Sequence, residues 1–472
     1  MLIVLLLVLG LACVGVLYLF FVPNSSLFGI TYVSYNKNIK SQNVDSASIQ
    51  KVVLNSRAFN VDVVDSNDST ISAKVRCNVF GFVMKQNKDI SITTDVESGV
   101  LTISVKEPYG AAVLNNSYIE LYLPNKTFDL QLNNYMAKTS VSTAAKINNL
   151  KYKTNNGNFE IKSGKVLGKL NLDLSNANFT ISEGVETNNN DVDLKVTTGK
   201  FYSQSKLGEI NIRANKRGVV EIKECTKLTE EIKSAGGRIK IGTVGNVNVV
   251  TSDTNLYFDK INSGAVISLT GAGNVNIKEI NGISTIETAN GKISVEIANS
   301  TLNLKSIHGN IIVKKAYLST VAKNSYGDID IQFANEAESY NTNTNSRNIT
   351  TETKNGKITI NGVEHINLLI TGSGRANVTF NNVYGKNQMV AKDRGSLNVV
   401  VDKNAKYMLK TSAKGSVNVN LTQTTEYSGY KTNTERITYV NCLESEYNES
   451  LDAALVVTAD KGNIYLVDTN FI

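Results

Sequence analysis

Two pairs of alternating aspartates are the residues of this chain that could do chemistry together. Asp191 alternates with Asp193, and Asp328 with Asp330, in stretches with a strand-like pattern. Because successive strand side chains point to opposite faces, the members of each pair share a face. Paired carboxylates can bind calcium or act as acid and base on a polysaccharide. The neighbouring repeats add no cluster of carboxylates with basic partners, so we predict solvent-facing strand residues, with a polysaccharide-cleaving enzyme as the alternative.

Other catalytic or cofactor-binding patterns are weak. The two histidines, His308 and His365, lie in neither a zinc spacing nor a nucleophile–base arrangement. Residues 271–274 read GAGN and lack the further glycine and helix that a dinucleotide-binding loop requires. We therefore predict no catalytic, cofactor-binding or metal-binding residue, and no cofactor.

Four tyrosines are the candidate ligand contacts. They lie in residues 423–450, which interrupt the repeat described below. Loops inserted on one face of a solenoid often carry its binding function, although a tolerated surface loop is the alternative. The tyrosines are Tyr427, Tyr430, Tyr439 and Tyr447.

The elements that would position these residues repeat along the chain, and each repeat contains a glycine. Apolar residues stand two and four positions after the glycine, as in GKISVEI at Gly291, and this alternation is typical of half-buried β-strands. A second short apolar run precedes most of the glycines, so each repeat should hold two or three strands. The glycines include Gly273, Gly291, Gly309, Gly327, Gly356, Gly374, Gly395 and Gly415.

The spacing of the glycines predicts how the strands are arranged. From Gly273 to Gly327 the glycines are 18 residues apart, and Gly356 to Gly374 repeats that interval. A short fixed period is typical of a solenoid, in which stacked coils complete one another's core. A sandwich or propeller is the alternative, but its unit would repeat over roughly forty or more residues.

Some of these glycines follow an asparagine, as at Gly157, Gly291 and Gly356. Asn-Gly pairs tolerate the positive φ that a tight corner can demand. We therefore predict corners built on left-handed glycines.

The N-terminal residues 1–22 carry no charged side chain, and Pro23 and Asn24 follow them. This run is longer than the roughly 18 to 20 residues that cross a bilayer as a helix. A cleaved signal peptide would have a basic start and a shorter apolar core ending in small residues. We predict an uncleaved single-pass anchor with the body extracytoplasmic, although Lys37 and Lys40 favour the opposite orientation.

Composition and charge indicate which kinds of binding partner the chain is expected to have. The chain has 472 residues, 41% apolar and 19% charged, as is usual for a folded protein. Its net charge of +7 is spread thinly, in lysine clusters without aromatic interleaving, which indicates a solvated face and no nucleic acid partner. The cysteines Cys13, Cys77, Cys225 and Cys442 leave an odd number outside the apolar run, so we predict buried or incidental thiols.

The pattern divides the chain into four parts and two insertions. The 46–130 segment should form antiparallel strands with hairpin turns at 65–69 and 97–99, and should cap the first coil. The parts are an anchor at 1–22, a spacer at 23–45, the β-rich cap at 46–130, and solenoid repeats at 131–472 with insertions at 338–350 and 423–450.

The repeats resemble those of the bacterial putative adhesin family of cell-surface proteins. The stretches that carry the likeness are GKISVEI at Gly291, GKITI at Gly356 and GSVNVNL at Gly415, behind LTISVKE in the cap. The likeness covers residues 46–472. It implies a right-handed β-helix-like domain, often tied to a membrane segment and exposed at the cell surface, and it transfers no catalytic residue.

The sequence thus predicts an all-β protein: a right-handed β-helix-like solenoid with an N-terminal antiparallel cap and a transmembrane helix. The predicted function is that of a membrane-anchored adhesin or envelope scaffold without catalytic activity. A carbohydrate-active β-helix enzyme and a self-assembling envelope structural protein are the alternatives. The expected partners are the membrane, through residues 1–22, and a surface glycan or another envelope protein.

Overall fold

The described part of the chain is almost entirely β-structure, and its computed structural model divides it into two compact units, Met1–Thr226 and Lys227–Ile472. This boundary differs from the one predicted after residue 130. The structure describes residues 2–21, 26–27, 30–40, 46–83, 91–106, 110–231, 236–334, 348–422, 424–432, 435–448 and 453–471.

The first unit contains one α-helix, a 3₁₀ turn and fourteen complete strands among its described residues. A fifteenth strand crosses into the second unit. The elements are α1 (Leu2–Phe21), the turn Ser46–Ser48, β1 (Ser26–Leu27), β2 (Ile30–Lys40), β3 (Lys51–Ser56), β4 (Asn60–Asp65), β5 (Ser72–Val83), β6 (Ser91–Glu97), β7 (Val100–Lys106), β8 (Gly110–Leu123), β9 (Thr127–Asn134), β10 (Thr139–Thr154), β11 (Phe159–Val166), β12 (Leu170–Ile181), β13 (Glu186–Thr187), β14 (Val192–Asn215) and β15 (Val219–Glu231).

The apolar N-terminal segment forms helix α1. Its side chains, which are described at residues 4–15 and 17, are largely exposed, with Val4 at 64% and Leu11 at 69%. Over the residues that the structure describes, no helix combines the length and the apolarity of a membrane span. The membrane anchor stays a prediction.

Parallel strands stack in the first unit, and the stacking starts inside the predicted cap. On one side β4 pairs in parallel with β8 and β10, and on another β3 pairs in parallel with β7 and β9. From β10 onward the parallel ladders continue through β12 to β14. Aromatic rings pack together in the adjacent core: the ring centroids of Phe159 and Phe179 are 4.6 Å apart, and Phe201 packs next to Phe179.

The antiparallel cap is confirmed only in part. Strands β2 and β5 add antiparallel neighbours beyond β8, and β6 pairs antiparallel with β7 through a hairpin at Ser98 and Gly99. The predicted hairpin at 65–69 is absent, because β8 lies between β4 and β5. The predicted spacer also contains β2. Alternation of period two is the same in parallel and antiparallel strands, so the pattern does not distinguish them.

The second unit contains twenty-one further strands among its described residues, with a 3₁₀ turn at Glu444–Glu446. They are β16 (Gly236–Thr251), β17 (Asp253–Leu269), β18 (Val275–Ile280), β19 (Ser284–Thr288), β20 (Ile293–Ala298), β21 (Leu302–Ser306), β22 (Ile311–Ala316), β23 (Thr320–Asn324), β24 (Ile329–Phe333), β25 (Asn348–Thr353), β26 (Ile358–Val363), β27 (His365–Thr371), β28 (Arg375–Phe380), β29 (Lys386–Ala391), β30 (Ser396–Val401), β31 (Tyr407–Ala413), β32 (Val417–Asn420), β33 (Thr424–Thr432), β34 (Glu435–Val440), β35 (Ala454–Ala459) and β36 (Ile464–Asp468).

The predicted solenoid is confirmed in the second unit. From β18 to β30 each coil contributes two strands, and each strand pairs in parallel with the equivalent strand of the next coil. Ile293 pairs with Ile311, and Ile311 with Ile329, so the register advances by the predicted 18 residues. These isoleucines are 0–1% exposed, because the alternate apolar positions face the shared core.

The corner glycines have a different cause from the predicted one. Gly157, Gly291 and Gly356 lie outside the left-handed region. A Cβ added to Gly291 would instead lie less than 3 Å from the carbonyl oxygen of Gly273 in the adjacent coil, and Gly309 meets Gly291 in the same way. Glycine is needed here for close approach between coils, which only a residue without a side chain allows.

The two predicted insertions differ in what the structure describes. Of residues 338–350, only 348–350 are described, as the start of β25. Residues 423–450 include β33 and β34, which form an antiparallel hairpin, and β34 pairs antiparallel with β31. This insertion is therefore part of the sheet.

Buried thiols and one buried carboxyl group stand out in the core. Cys77, Cys225 and Cys442 are buried, as predicted, and burial raises the pKa of Cys77 and Cys225 to about 12. Glu230, in β15, is 1% exposed, and its carboxyl oxygens have no hydrogen-bond partner within the described residues. Burial raises the pKa of Glu230 to about 8.

Gly309→Ala should destabilise the second unit by on the order of 2–4 kcal/mol, because the new methyl group would force two coils apart. Thermal and urea denaturation followed by circular dichroism would measure the loss. Gly10→Ala is the matched control, since its added Cβ would meet no atom within 4 Å. Equal stability of both variants would contradict the close-approach explanation.

Glu230→Gln should stabilise the protein increasingly as the pH rises. A carboxyl group with a folded-state pKa of about 8 and an ordinary value of 4.5 stabilises the fold below about pH 4.5 and loses that contribution as the pH rises through 8. The difference between variant and parent should grow to on the order of 4 kcal/mol at pH 8. Urea unfolding from pH 4.5 to 8 would measure it, with exposed Glu183→Gln as control. A difference independent of pH would contradict this.

Candidate functional site

Three of the four predicted aspartates make structural contacts, and Asp193 is buried and not solvent-facing as the pattern predicted. Asp193 is 8% exposed, and its Oδ2 lies 2.7 Å from Lys169 Nζ and 2.9 Å from Arg213 Nη2. Burial alone raises the pKa of Asp193, but the hydrogen bond and charge of Lys169, aided by Arg213, hold it below its usual value. The ionised carboxylate thus ties three coils together, whereas a general acid needs a raised pKa.

The other three carboxylates lie at turns or on the surface. Asp191 Oδ1 accepts the backbone N–H of Glu209 at 2.9 Å, and Asp328 Oδ1 accepts that of Lys357 at 2.8 Å. Asp330, two residues after Asp328, is exposed. These contacts recur between successive coils, so they stabilise the turns.

The two histidines take part in contacts between coils. The ring of His308 stacks on Tyr326 with centroids 4.9 Å apart, and its Nδ1 lies 2.9 Å from Asn290 Oδ1. His365 Nδ1 lies 2.8 Å from Asn348 Oδ1. Across the described residues, no group of three histidine, cysteine, aspartate or glutamate side chains is placed to hold a metal ion.

The predicted tyrosine contacts belong to the β33–β34 hairpin and the turn after it. Tyr427 and Tyr430 lie in β33, and their side chains fall outside the described residues. Tyr439 is 7% exposed and packs against Tyr447, with ring centroids 5.6 Å apart. Tyr439 therefore packs within the hairpin, and the role of the four tyrosines in ligand binding stays a prediction.

A polar cleft lies beside this hairpin in the second unit, and the sequence did not single it out. Its volume is about 410 Å³, within the roughly 300–1,000 Å³ range of small-molecule sites. Four turns line it, those after β30, β32, β34 and β36. The lining residues are Lys403, Asn404, Thr422, Asn441 and Asn470.

A buried carboxylate holds two of these turns together. Asp468 is 3% exposed, and its Oδ2 accepts the backbone N–H of Thr422 at 2.6 Å while Oδ1 accepts that of Asn470 at 2.9 Å. Burial raises the pKa of Asp468, but the hydrogen bonds from Thr422 and Asn470 and the charge of Lys403 lower it overall. The ionised Asp468 therefore sets the spacing of the cleft walls.

Two amide groups complete the walls. Asn441 adopts a left-handed φ of 55°, and its Nδ2 donates to the carbonyl oxygens of Lys403 at 2.9 Å and Ala405 at 2.8 Å. Asn470 Nδ2 donates to Thr422 Oγ1 at 2.8 Å. Both amide nitrogens thus donate within the fold, and these hydrogen bonds orient the two side chains.

Several polar groups of the cleft make no hydrogen bond within the described part of the chain. They are the Lys403 ammonium group, the side-chain amide of Asn404, and the Oδ1 atoms of Asn441 and Asn470. One cation with an amide and two carbonyl acceptors can hydrogen-bond a ligand rich in hydroxyl groups. Asparagine-containing turns were visible in the sequence, but nothing local showed that three of them meet beside the turn at Thr422.

The lysine clusters noted in the sequence are largely paired across coils. Lys165 lies 2.9 Å from Glu186, and Lys314 lies 3.0 Å from Glu296. Exposed pairs of this kind contribute little to stability. These pairs reduce the free positive charge of the strand faces. Lys403 in the cleft has no such ion pair among the described residues.

Comparison with known proteins finds likenesses to solved structures described as adhesins. A putative cell adhesion protein from Clostridium sporogenes is 10% identical, over 92% of this chain and 100% of the other, with a TM-score of 0.17. Putative adhesins from Parabacteroides merdae and Bacteroides fragilis are 14% and 13% identical, with TM-scores of 0.28 and 0.20. They cover 59% and 62% of this chain and 95% and 98% of their own.

No family model and no curated protein matches the chain. The descriptions of the solved structures agree with the family that the repeats resemble. TM-scores this low carry no argument about function, so the functional conclusion below rests on this chain's own residues.

Proposed function

We propose that this protein is a cell-surface β-solenoid that adheres to a glycan through the polar cleft, without catalysing a reaction. The observation that carries the proposal is the set of unused groups in the cleft. Lys403, Asn404, Asn441 and Asn470 offer a cation, an amide and two oriented carbonyl oxygens to one ligand. Sugars present many hydroxyl groups, and Lys403 favours one that also carries a carboxylate.

The absence of catalysis is part of this proposal. Among the predicted aspartates, Asp193 is held in an ion-pair cluster, and Asp191 and Asp328 accept turn hydrogen bonds. The pKa of Asp193 is held below its usual value, whereas glycosidic cleavage requires a carboxyl group with a raised pKa next to a second one. This supports binding over the carbohydrate-active alternative.

The membrane anchor completes the proposal. Helix α1 exposes apolar side chains such as Leu5, Leu9 and Leu11, each more than half accessible. Exposed apolar surface on this scale needs a cover. We propose a lipid bilayer as that cover, because residues 1–22 carry no charged side chain. We place the body outside the cytoplasm, where a glycan ligand would be.

The double variant Lys403→Ala with Asn404→Ala should bind its glycan at least about tenfold more weakly than the parent. Losing two hydrogen-bonding groups, one of them charged, costs about 1.4 kcal/mol or more. A glycan array that compares neutral with acidic sugars, followed by titration calorimetry on the best hit, would measure the loss. The exposed pair Lys357→Ala with Asn361→Ala is the control. Binding that is absent, or equal in both variants, would count against the cleft.

Protease added to intact cells should degrade the body and leave a membrane-bound fragment from the N-terminal end. Deletion of residues 2–21 should release the body from the membrane fraction. Immunoblots of cell fractions would measure both effects, with a cytoplasmic protein as the control for cell integrity. Full protection of the body in intact cells would contradict the proposed location.

A further inference from the structure

The last two strands of the second unit do not follow the order of the chain. We call β35 and β36 the returning coil. Strand β35 lies between β29 and β31, since Val457 pairs in parallel with both Met389 and Thr411. Strand β36 lies between β30 and β32, since Leu466 pairs with both Val399 and Val419.

Hydrogen bonds and corner contacts show the same order independently. Leu397 N donates to Asn463 O at 3.0 Å on one side, and Ile464 N donates to Ser416 O at 2.9 Å on the other. A Cβ on Gly462 would clash with Gly395, and one on Gly415 would clash with Gly462. In the stack Gly462 therefore stands between Gly395 and Gly415, although these two glycines follow one another in the repeats of the sequence.

The returning coil is bound by the same forces as every other coil. Leu455, Val457, Ile464 and Leu466 are 0% exposed. An ion pair of 3.1 Å between Lys414 and Asp460 adds a surface contact. Without this coil, the strands on both sides would present unpaired edges around an apolar gap.

Unpaired strand edges bind other strands, and addition of a donor strand is a known mode of association. The walls of the gap, β29 to β32, come before the returning coil in the chain. The residues that line the gap are therefore synthesised before those that fill it. A second copy of the chain has the same wall strands, so it offers the returning coil the same contacts.

We propose that the space between β29–β30 and β31–β32 is a strand-acceptor site, and that two copies of this chain join by exchanging their returning coils. This proposal rests on the fold and not on glycan binding. The hairpin and residues 441–453 tether each coil to its own site, at an effective concentration of about 1 mM. Exchange between copies should therefore compete with binding of a chain's own coil when the copies are concentrated, as on a surface.

Cysteine pairs test the exchange directly. Ala391 and Ala459 pair in register across β29 and β35 and are both buried. Neighbouring strands lie about 4.8 Å apart, within the range of Cα distances that a disulfide spans. Full-length copies with Ala391→Cys and copies with Ala459→Cys would be unfolded, mixed, refolded at about 1 to 500 µM and oxidised.

The mixture should yield a disulfide-linked dimer that needs both substitutions. At an effective concentration of about 1 mM, roughly a tenth of the sites should be exchanged at about 100 µM, and the fraction should rise with concentration. One chain with both substitutions is the control, since it should form the disulfide internally. The pair Lys414→Cys and Asp460→Cys repeats the test at an exposed position.

Two results would overturn the proposal. If the single-chain control forms its disulfide and the mixture gives no linked dimer at any concentration, the site does not accept a coil from another copy. If neither single-chain control forms its disulfide, the coil order itself is wrong. Loss of glycan binding with exchange intact, or the reverse, would separate this proposal from the proposed function.

Discussion

The close approach of backbone to backbone at the coil corners is the constraint on which the second unit depends. The carbonyl oxygen of one corner glycine occupies the place where a side chain of the next would stand, as between Gly273 and Gly291. Only with glycine at that point can the strands on both sides of the corner keep their hydrogen-bonded spacing. The isoleucine ladder of the core follows from that spacing, because equivalent residues then lie directly above one another.

The tight corners explain why most residues of catalytic or binding type in this chain have a structural role. A corner leaves backbone N–H groups without partners, and short polar side chains satisfy them. Thr353 Oγ1 accepts the N–H of Gly356 at 3.0 Å, and Asp328 accepts that of Lys357. The same composition of Asp, Asn, Ser and Thr would be expected of a sugar-binding surface. Composition alone therefore cannot distinguish a turn from a site, whereas unused hydrogen-bonding capacity can.

The cleft and the returning coil both arise where the regular repeat ends. The hairpin β33–β34 pairs with β31, and the chain then returns to fill the gap below it. The turns after β30, β32, β34 and β36 are thereby brought to one place, although residues 403 and 470 are far apart in the chain. An irregularity in coil order has thus created the polar cleft that we assign to binding.

Most of the architecture of the second unit follows from the local sequence pattern. An apolar residue two and four positions after a glycine, repeated every 18 residues, determines strand, corner and coil by itself, since each depends on near neighbours. Only the tertiary structure decided which strands of the first unit pair antiparallel. It alone also decided the place of the returning coil and the meeting of Asn404, Asn441 and Asn470. The physical reason is that a half-buried strand offers the same alternation and hydrogen-bonding edges to any partner. Its choice of neighbour depends on distant segments that the local pattern does not identify.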